Sequence, residues 1–139
     1  MNYNLERFLD AQETDYAIAL SEIKNGKKES HWMWYSFQQV LGLGYTSTSI
    51  LYAIKDLNEA TAYLNHEILG NRLIGISNAL LALETNDARK VFGSPDHMKL
   101  RSSMTLFSLV PGAENVFQLV LDKFFKGKKD EETLHLLNV

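Results

Sequence analysis

The stretch from Ile68 to Leu83 limits the fold more than any other part of this sequence. Leu69, Leu73, Ile76, Leu80 and Leu83 follow one another at steps of three and four, with Ile68 alongside. That period puts them on one face of a helix, and such a face must be buried against other elements. The spacing predicts a central buried helix ending near Glu84, with Gly75 as a point of close packing.

The same period recurs along the chain. Asn4 can cap a helix from Leu5 to Lys24, striped by Leu5, Phe8, Leu9, Tyr16, Ala19, Leu20 and Ile23. Gly26 suits its left-handed terminus, and Lys24, Lys27 and Lys28 match the negative end of its dipole. Between Trp32 and Leu41 stand two Trp, a Tyr and a Phe, which predict a short buried helix stopped by Gly42 and Gly44. Ser47 or Ser49 opens another short helix to Ala53. Asp56 followed by Glu59 forms a capping-box pattern for a helix from Leu57 to about Asn65. Asn86 or Asp87 caps a turn or two closed by Gly93, and Ser94-Pro95 predicts a capped helix from Pro95 to about Val110. Val116 to Phe125 and a last helix behind Asp130, holding Leu134 and Leu137, complete the series. Alternation of the strand type is absent, and only Met104 to Val110 reads either way. The expectation is an all-α multihelical bundle of about seven helices, one compact domain over residues 1–139.

Composition narrows the function classes. A chain of 139 residues suits one domain, and 45% apolar residues supply its core. Fourteen basic residues against seventeen acidic ones give a net charge of −3, far from the basic footprint of a nucleic-acid-binding domain. Were nucleic acid a partner after all, Lys24, Lys27, Lys28, Lys123, Lys126, Lys128 and Lys129 would form the surface. The absence of cysteine excludes disulfides, thiol catalysis and cysteine-ligated zinc or iron–sulfur centres, and fits a reducing compartment. The first seven residues lack the basic start and apolar core of a leader, and no stretch approaches the roughly 18 apolar residues of a membrane span. A cytoplasmic protein without membrane association is expected.

Several motifs invite chemistry and lose it on inspection. Gly42-Leu43-Gly44-Tyr45-Thr46-Ser47 lacks the third glycine, the preceding strand and the lysine of a phosphate loop, and reads as a helix end with a turn. Gly75-Ile76-Ser77-Asn78-Ala79 would place a nucleophilic serine in mid-helix, not on the strained turn that exposes one. His31, His66, His97 and His135 never stand four apart, so neither a zinc site nor any other cofactor is implied.

Two clusters and one isolated residue remain. Ser30-His31-Trp32-Met33-Trp34 sets an imidazole beside two large rings at a helix start, either a stacking platform with an acid/base group or core packing with a satisfied histidine. Asp96, His97, Lys99, Arg101, Ser102 and Ser103 crowd the first turns of one helix, with Asp96, Lys99 and Ser103 on one face. Positive charge at a helix start favours anions; the plainer reading is a capped helix whose Asp96 pairs with Lys99. Arg72, within the otherwise apolar central helix, either holds a carboxylate ligand or pairs with Glu59, Glu67 or Asp56.

These segments also carry a resemblance. Ser30 to Trp34, Phe37-x-Gln39 with Gly42-Leu43-Gly44, Ala60-x-x-Tyr63-Leu64-x-His66-x-x-Leu69-Gly70-x-Arg72-Leu73, and Phe92-Gly93-Ser94-Pro95-Asp96-x-x-Lys99-Leu100-x-Ser102-Ser103-Met104-Thr105-Leu106-Phe107 resemble the bacterial domain of unknown function 1810 family over nearly the whole chain. The resemblance implies a small, mostly helical, cytoplasmic bacterial protein without an assigned activity. Some members are labelled calpastatin, the name of a disordered protease inhibitor, whereas this chain is too apolar to be disordered. Members commonly have proline after Phe37 and after His66, where this chain has Gln38 and Glu67.

The functional expectation is a domain that binds a small anionic or ring-bearing ligand through His31, Trp32, Trp34, Arg72, Asp96, Lys99 and Ser103. In an enzyme of this kind Asp96 or His31 would be the acid or base and Lys99 or Arg72 the anion anchor. The alternative is a non-catalytic protein-interaction module, whose sign would be an exposed apolar patch. Substrate and oligomeric state are not legible.

Overall fold

Helix formation follows the apolar stripes. The computed structural model describes residues 3–139; Met1 and Asn2, which open the segment read above for a leader, lie outside the described residues. Among the described residues there are nine helices: α1 (Glu6–Lys24), α2 (Met33–Ser36), α3 (Ser47–Leu51), α4 (Leu57–Asn65), α5 (Glu67–Leu81), α6 (Ala88–Phe92), α7 (Asp96–Ser108), α8 (Val116–Phe125) and α9 (Glu131–Leu137). The architecture is all-α, and no helix is long and apolar enough to cross a membrane. The count exceeds the expected seven: six helices have seven or more residues, and the one-turn segments α2, α3 and α6 bring the total to nine.

The core is built around α5. Leu69, Leu73, Ile76 and Leu80 are at most 1% exposed, and α5 packs on α1, α4 and α8. The expected stripe holds from Leu69 to Leu80; Ile68 faces solvent, and α5 ends at Leu81 and not near Glu84, so Leu83 lies beyond it. From α7, the buried Leu100, Met104, Leu106 and Phe107 reach α8 and α4. A chain of rings links the layers: Phe8 to Tyr63 at 5.2 Å, Tyr63 to Phe107 at 5.5 Å and Phe107 to Phe117 at 5.8 Å. Tilted and edge-on pairs of this kind add about 0.5–1.5 kcal/mol each beyond the area they bury.

One residue separates α4 from α5. His66 fills it, closing one helix and capping the next through Nδ1, which accepts from the amides of Ile68 at 3.2 Å and Leu69 at 3.3 Å. Glu67 is the first residue of α5, a position at which proline also fits. The abrupt turn drives the Leu64 carbonyl onto Gly70, where a Cβ would lie 2.1 Å from the oxygen. The contact at Gly75 is looser, with Tyr16 Oη 3.2 Å from such a Cβ.

Local details depart from the sequence reading in several places; α3, for one, is capped by Thr46 and not by Ser47 or Ser49, and ends at Leu51. Asn4 does not cap α1: Leu5 holds that position without a side-chain bond, and Asn4 is left-handed at φ 53°. Ser94 does not cap α7 either; Pro95, after a cis peptide bond, stands at the cap position and the helix starts at Asp96. The aromatic segment is helical only from Met33 to Ser36, and the chain is then extended. Val40 bridges Ile54 in parallel, with Leu41 N–H on the Ile54 carbonyl and Ile54 N–H on the Gln39 carbonyl, both at 2.8 Å. Two β-branched residues buried together, Val40 and Ile54, favour that pairing over a continued helix.

Arg7 organises this irregular region. Its guanidinium donates from Nε to the Leu51 carbonyl, from Nη1 to the carbonyls of Tyr3 and Asn4, and from Nη2 to the Ala53 carbonyl and Glu59 Oε2, at 2.7–3.0 Å. Glu59 is buried, with Oε1 accepting from the Lys55 amide and its own amide donating to Asp56, so the capping box closes one residue early. We expect Arg7→Ala to cost about 3–5 kcal/mol in urea unfolding, since it strands the Glu59 charge, and Arg7→Lys to recover only a minor part, an ammonium having no planar fork. Full recovery by lysine would show that charge alone matters. Gly70→Ala should destabilise by about 1–3 kcal/mol through overpacking against a backbone oxygen that cannot rotate away, against a helix-propensity gain of about 1 kcal/mol; a stabilised variant would refute the close contact.

Candidate functional site

Where the loop after α1 meets the start of α7, the chain encloses a cavity of about 190 Å³. It is lined by Lys28, His31, Met33, Trp34, Tyr35, Thr48, Asp96 and Lys99. Asp96 stands at its centre of charge: Oδ2 lies 3.0 Å from Lys28 Nζ and Oδ1 3.0 Å from Lys99 Nζ, so one carboxylate bridges two ammonium groups and the cluster is net positive. Burial alone would raise the Asp96 carboxyl, but its bonds to Lys28 and Lys99 hold it below the usual carboxylate range. Lys99 Nζ also sits 4.3 Å from the centre of the half-buried Trp34 ring, a cation–π contact. Gly44 passes the edge of that ring; a Cβ there would lie 2.5 Å from Ser49 Oγ and 3.1 Å from Trp34 Cη2. Of the glycine pair that suggested a phosphate loop, Gly44 thus provides bare backbone beside Trp34, while Gly42 lies against Leu136.

The opposite wall hangs on Glu22. Its carboxylate accepts the amides of Glu29 at 2.8 Å and Ser30 at 2.9 Å, the Ser30 hydroxyl at 2.6 Å and the Trp32 indole N–H at 2.8 Å. Burial works against the charge, yet these four donors lower the carboxyl to about 2. At the α1 terminus, Gly26 N–H meets the Ile23 carbonyl and Lys27 N–H the Glu22 carbonyl, with Gly26 at φ +80°, a Schellman closure that turns the chain toward Lys28. Tyr35 closes the base: its hydroxyl lies against Asp15 Oδ2 and the His31 carbonyl. Burial and the Asp15 carboxylate raise its phenol, which stays protonated.

The residues singled out from the sequence divide. His31, Trp34, Asp96 and Lys99 line this cavity, His31 being solvent-exposed. Trp32, 1% exposed, is core, packed on Phe37 and Phe92. Ser103 is fully buried and does not line the cavity. Arg72 lies on the α1 side of α5, 3.4 Å from Gln12 Oε1 and over the Tyr16 ring, and none of the acids Glu59, Glu67 and Asp56 pairs with it. It reaches the cavity only indirectly, since Gln12 Nε2 donates to the Tyr35 carbonyl and to Tyr63 Oη. Ser77 is buried in mid-helix, as its sequence context required. Lys28, Tyr35, Thr48 and Glu22 went unread: Lys28 looked like one of three lysines at a helix end, and nothing in the spacing marks Glu22 as a four-bond acceptor. Among the described residues no group of three or more His, Asp or Glu side chains could hold a metal ion.

Comparison with known proteins places the chain. Residues 2–137 match the protein family of unknown function DUF1810, and the chain belongs to it. A solved structure, the conserved hypothetical protein Rv1873 from Mycobacterium tuberculosis at 1.38 Å, is 39% identical, with a TM-score of 0.96 over 99% of this chain and 98% of that one. No curated protein matches.

The Glu22 network is testable by pH. Its carboxyl falls from an ordinary 4.5 to about 2 on folding, so its contribution to stability is complete above 4.5 and is lost as the pH drops toward 2. We expect Glu22→Gln to lower the midpoint of urea unfolding at neutral pH and to flatten the decline of stability between those two values, read by tryptophan fluorescence. An acid limb as steep as that of the parent chain would show that Glu22 is not the group being titrated.

Proposed function

We propose that this member of the DUF1810 family binds a small ring-bearing anion in the cavity between α2, α3 and α7, as a cytoplasmic protein. The observation that carries the reading is the stacking of Lys99 on Trp34 at the edge of the Lys28–Asp96–Lys99 cluster. The two lysines outweigh one carboxylate, so an anion is drawn in, and an indole face stands beside the charge to receive a planar group. His31 and Thr48 supply further polar groups at the rim. Drug-sized ligands occupy roughly 300–1,000 Å³, so a cavity of about 190 Å³ takes one ring with one acidic group. In that reading Lys28 and Lys99 anchor the anion, Trp34 stacks, and Arg72 and Ser103 take no direct part.

A second reading has an observation of its own. Leu41, Ile50 and Leu51 are each about half exposed, at 45%, 52% and 52%, and line a groove of about 640 Å³ beside Arg7 and Lys55. Apolar side chains grouped in that way favour a protein-interaction module. Nucleic acid is a poorer fit, because Lys28, Lys123 and Lys129 of the two lysine clusters are tied to Asp96, to backbone carbonyls and to Gln118.

A thermal-shift and fluorescence screen decides between them. The probes are benzoate, phenyl phosphate, nucleoside monophosphates, sugar phosphates, and acetate and inorganic phosphate as ring-free controls. A ring-bearing anion at 100 times its Kd stabilises by about 2.7 kcal/mol, and it should perturb the emission of half-exposed Trp34 more than that of buried Trp32. Lys99→Ala and Trp34→Leu should fold and lose both responses. Equal shifts in the variants, or none with any probe, would leave the interaction module as the better reading.

A further inference from the structure

A second concave surface lies on another face of the molecule, where the loop after α5, the start of α6, the first turn of α7 and the end of α8 converge on a groove of about 580 Å³. Its walls combine two chemistries. Arg89 and Lys126 are exposed, and among the described residues neither side chain has a hydrogen bond, ion pair or ring partner. Between them, Phe124 and Phe125 are half-buried and Met98 is 41% exposed, so the floor is apolar and accessible.

The electrostatics of this groove are set by a third cation. The C-terminal carbonyls of α5 would make one end of it electronegative. Lys123 cancels that end: its Nζ donates to the carbonyls of Leu80 at 3.1 Å, Leu81 at 2.9 Å and also Leu83. Asp87, the acidic residue in the lining, keeps its charge as the α6 cap, accepting the Lys90 amide at 3.2 Å, and stands alone against Arg89, Lys123 and Lys126 in that lining. The groove is therefore a local positive field on a chain whose net charge is −3. An acidic partner is repelled by the molecule at large and steered to this one concavity.

We propose that this groove is a docking site for an acidic peptide segment of another protein, whose carboxylates pair with Arg89 and Lys126 and whose one large apolar side chain lies on Phe124, Phe125 and Met98. Arginine recognises carboxylates through its planar fork, and acidic motifs are commonly captured by such basic clusters. A nucleic acid fits less well. Tight binders neutralise some six to ten phosphates, whereas this groove offers Arg89, Lys126 and the flanking His97. The site is separate from the cavity of Trp34 and Lys99, with which it shares no lining residue.

Fluorescence anisotropy tests it, with a labelled decapeptide of glutamate and aspartate around one central phenylalanine as probe. The chain should bind it saturably, less tightly as salt is raised. Affinity should drop about tenfold or more in the Arg89→Ser, Lys126→Ser double variant and for the same peptide with amide side chains. Both positions are exposed, so the melting temperature should hold; Arg89→Glu alone gives an independent variant with the same expected loss. Lys99→Ala should bind the peptide like the parent chain, which separates this site from the proposed small-ligand cavity. The proposal is overturned by absence of binding, by unchanged affinity in the charge variants, or by tighter binding of a single-stranded oligonucleotide of equal charge. It is equally overturned by a dimer in solution that the variants dissociate, which would make a second copy the occupant.

Discussion

Arg7 uses every hydrogen a guanidinium can offer, and the fold depends on where those five go. Four meet main-chain carbonyls and one meets the buried Glu59. The region it serves, between α1 and α4, contains only the one-turn helices α2 and α3, so few of its peptide groups bond within regular structure. Peptide groups outside regular structure need partners from some source, and here a side chain at the start of the longest helix supplies one to Leu51 and one to Ala53, and ties the chain before α1 through Tyr3 and Asn4. Glu22 does the converse near the other end of α1, accepting two amides, a hydroxyl and an indole N–H. One helix thus carries a donor hub and an acceptor hub about four turns apart, and the irregular chain is stretched between them. The remaining helices pack by apolar faces and use smaller versions of the device, Lys123 donating to the carbonyls that end α5 and Arg101 to those of Lys128 and Lys129.

This division explains what could be read from the sequence. Leu69, Leu73, Ile76 and Leu80 announce α5 because a helix packed on three others must repeat its apolar residues at three and four. The caps at Asp56, Asp87 and Asp130 were legible because each is a short acid whose oxygen accepts an amide three residues on. The extended stretch from Phe37 to Val40 was not, since Trp34, Phe37 and Leu41 mimic helical spacing while the deciding bond comes from Ile54, more than a dozen residues away. His66 escaped for another reason: imidazole nitrogen is a rare cap, and only the abrupt α4–α5 turn makes it one.

The candidate site shows the same boundary at finer scale. Asp96 and Lys99 stand three apart on α7, and their pairing follows from helix geometry alone. Lys28 reaches Asp96 from the far side of the molecule's sequence, delivered by the left-handed Gly26 and the loop held on Glu22, and no local pattern announces that convergence. Trp32 and Trp34 are two residues apart and were equivalent in the sequence; in the fold one is core and the other a cavity wall. The indole N–H of Trp32 bonds Glu22, which commits that ring to the interior and leaves Trp34 facing the cavity.

The electrostatics of the cavity also argue for the kind of ligand proposed. Asp96 already occupies both lysines, so an incoming anion gains only the residual attraction of a cluster with two positive charges and one negative. A partly solvated ion pair contributes about 1 kcal/mol or less, too little to retain a simple anion. An aromatic contact adds about 0.5–1.5 kcal/mol beyond the area it buries, and the apolar area itself adds about 25 cal/mol per Å². Charge therefore orients and the ring retains, and neither suffices alone. Asp96 serves that arrangement by fixing both ammonium groups before a ligand arrives, so the entropy of ordering two long side chains is lost on folding and not on binding. In the proposed anion site the Asp96 carboxylate would then be a positioning device, and its lowered pKa keeps it charged across the neutral range.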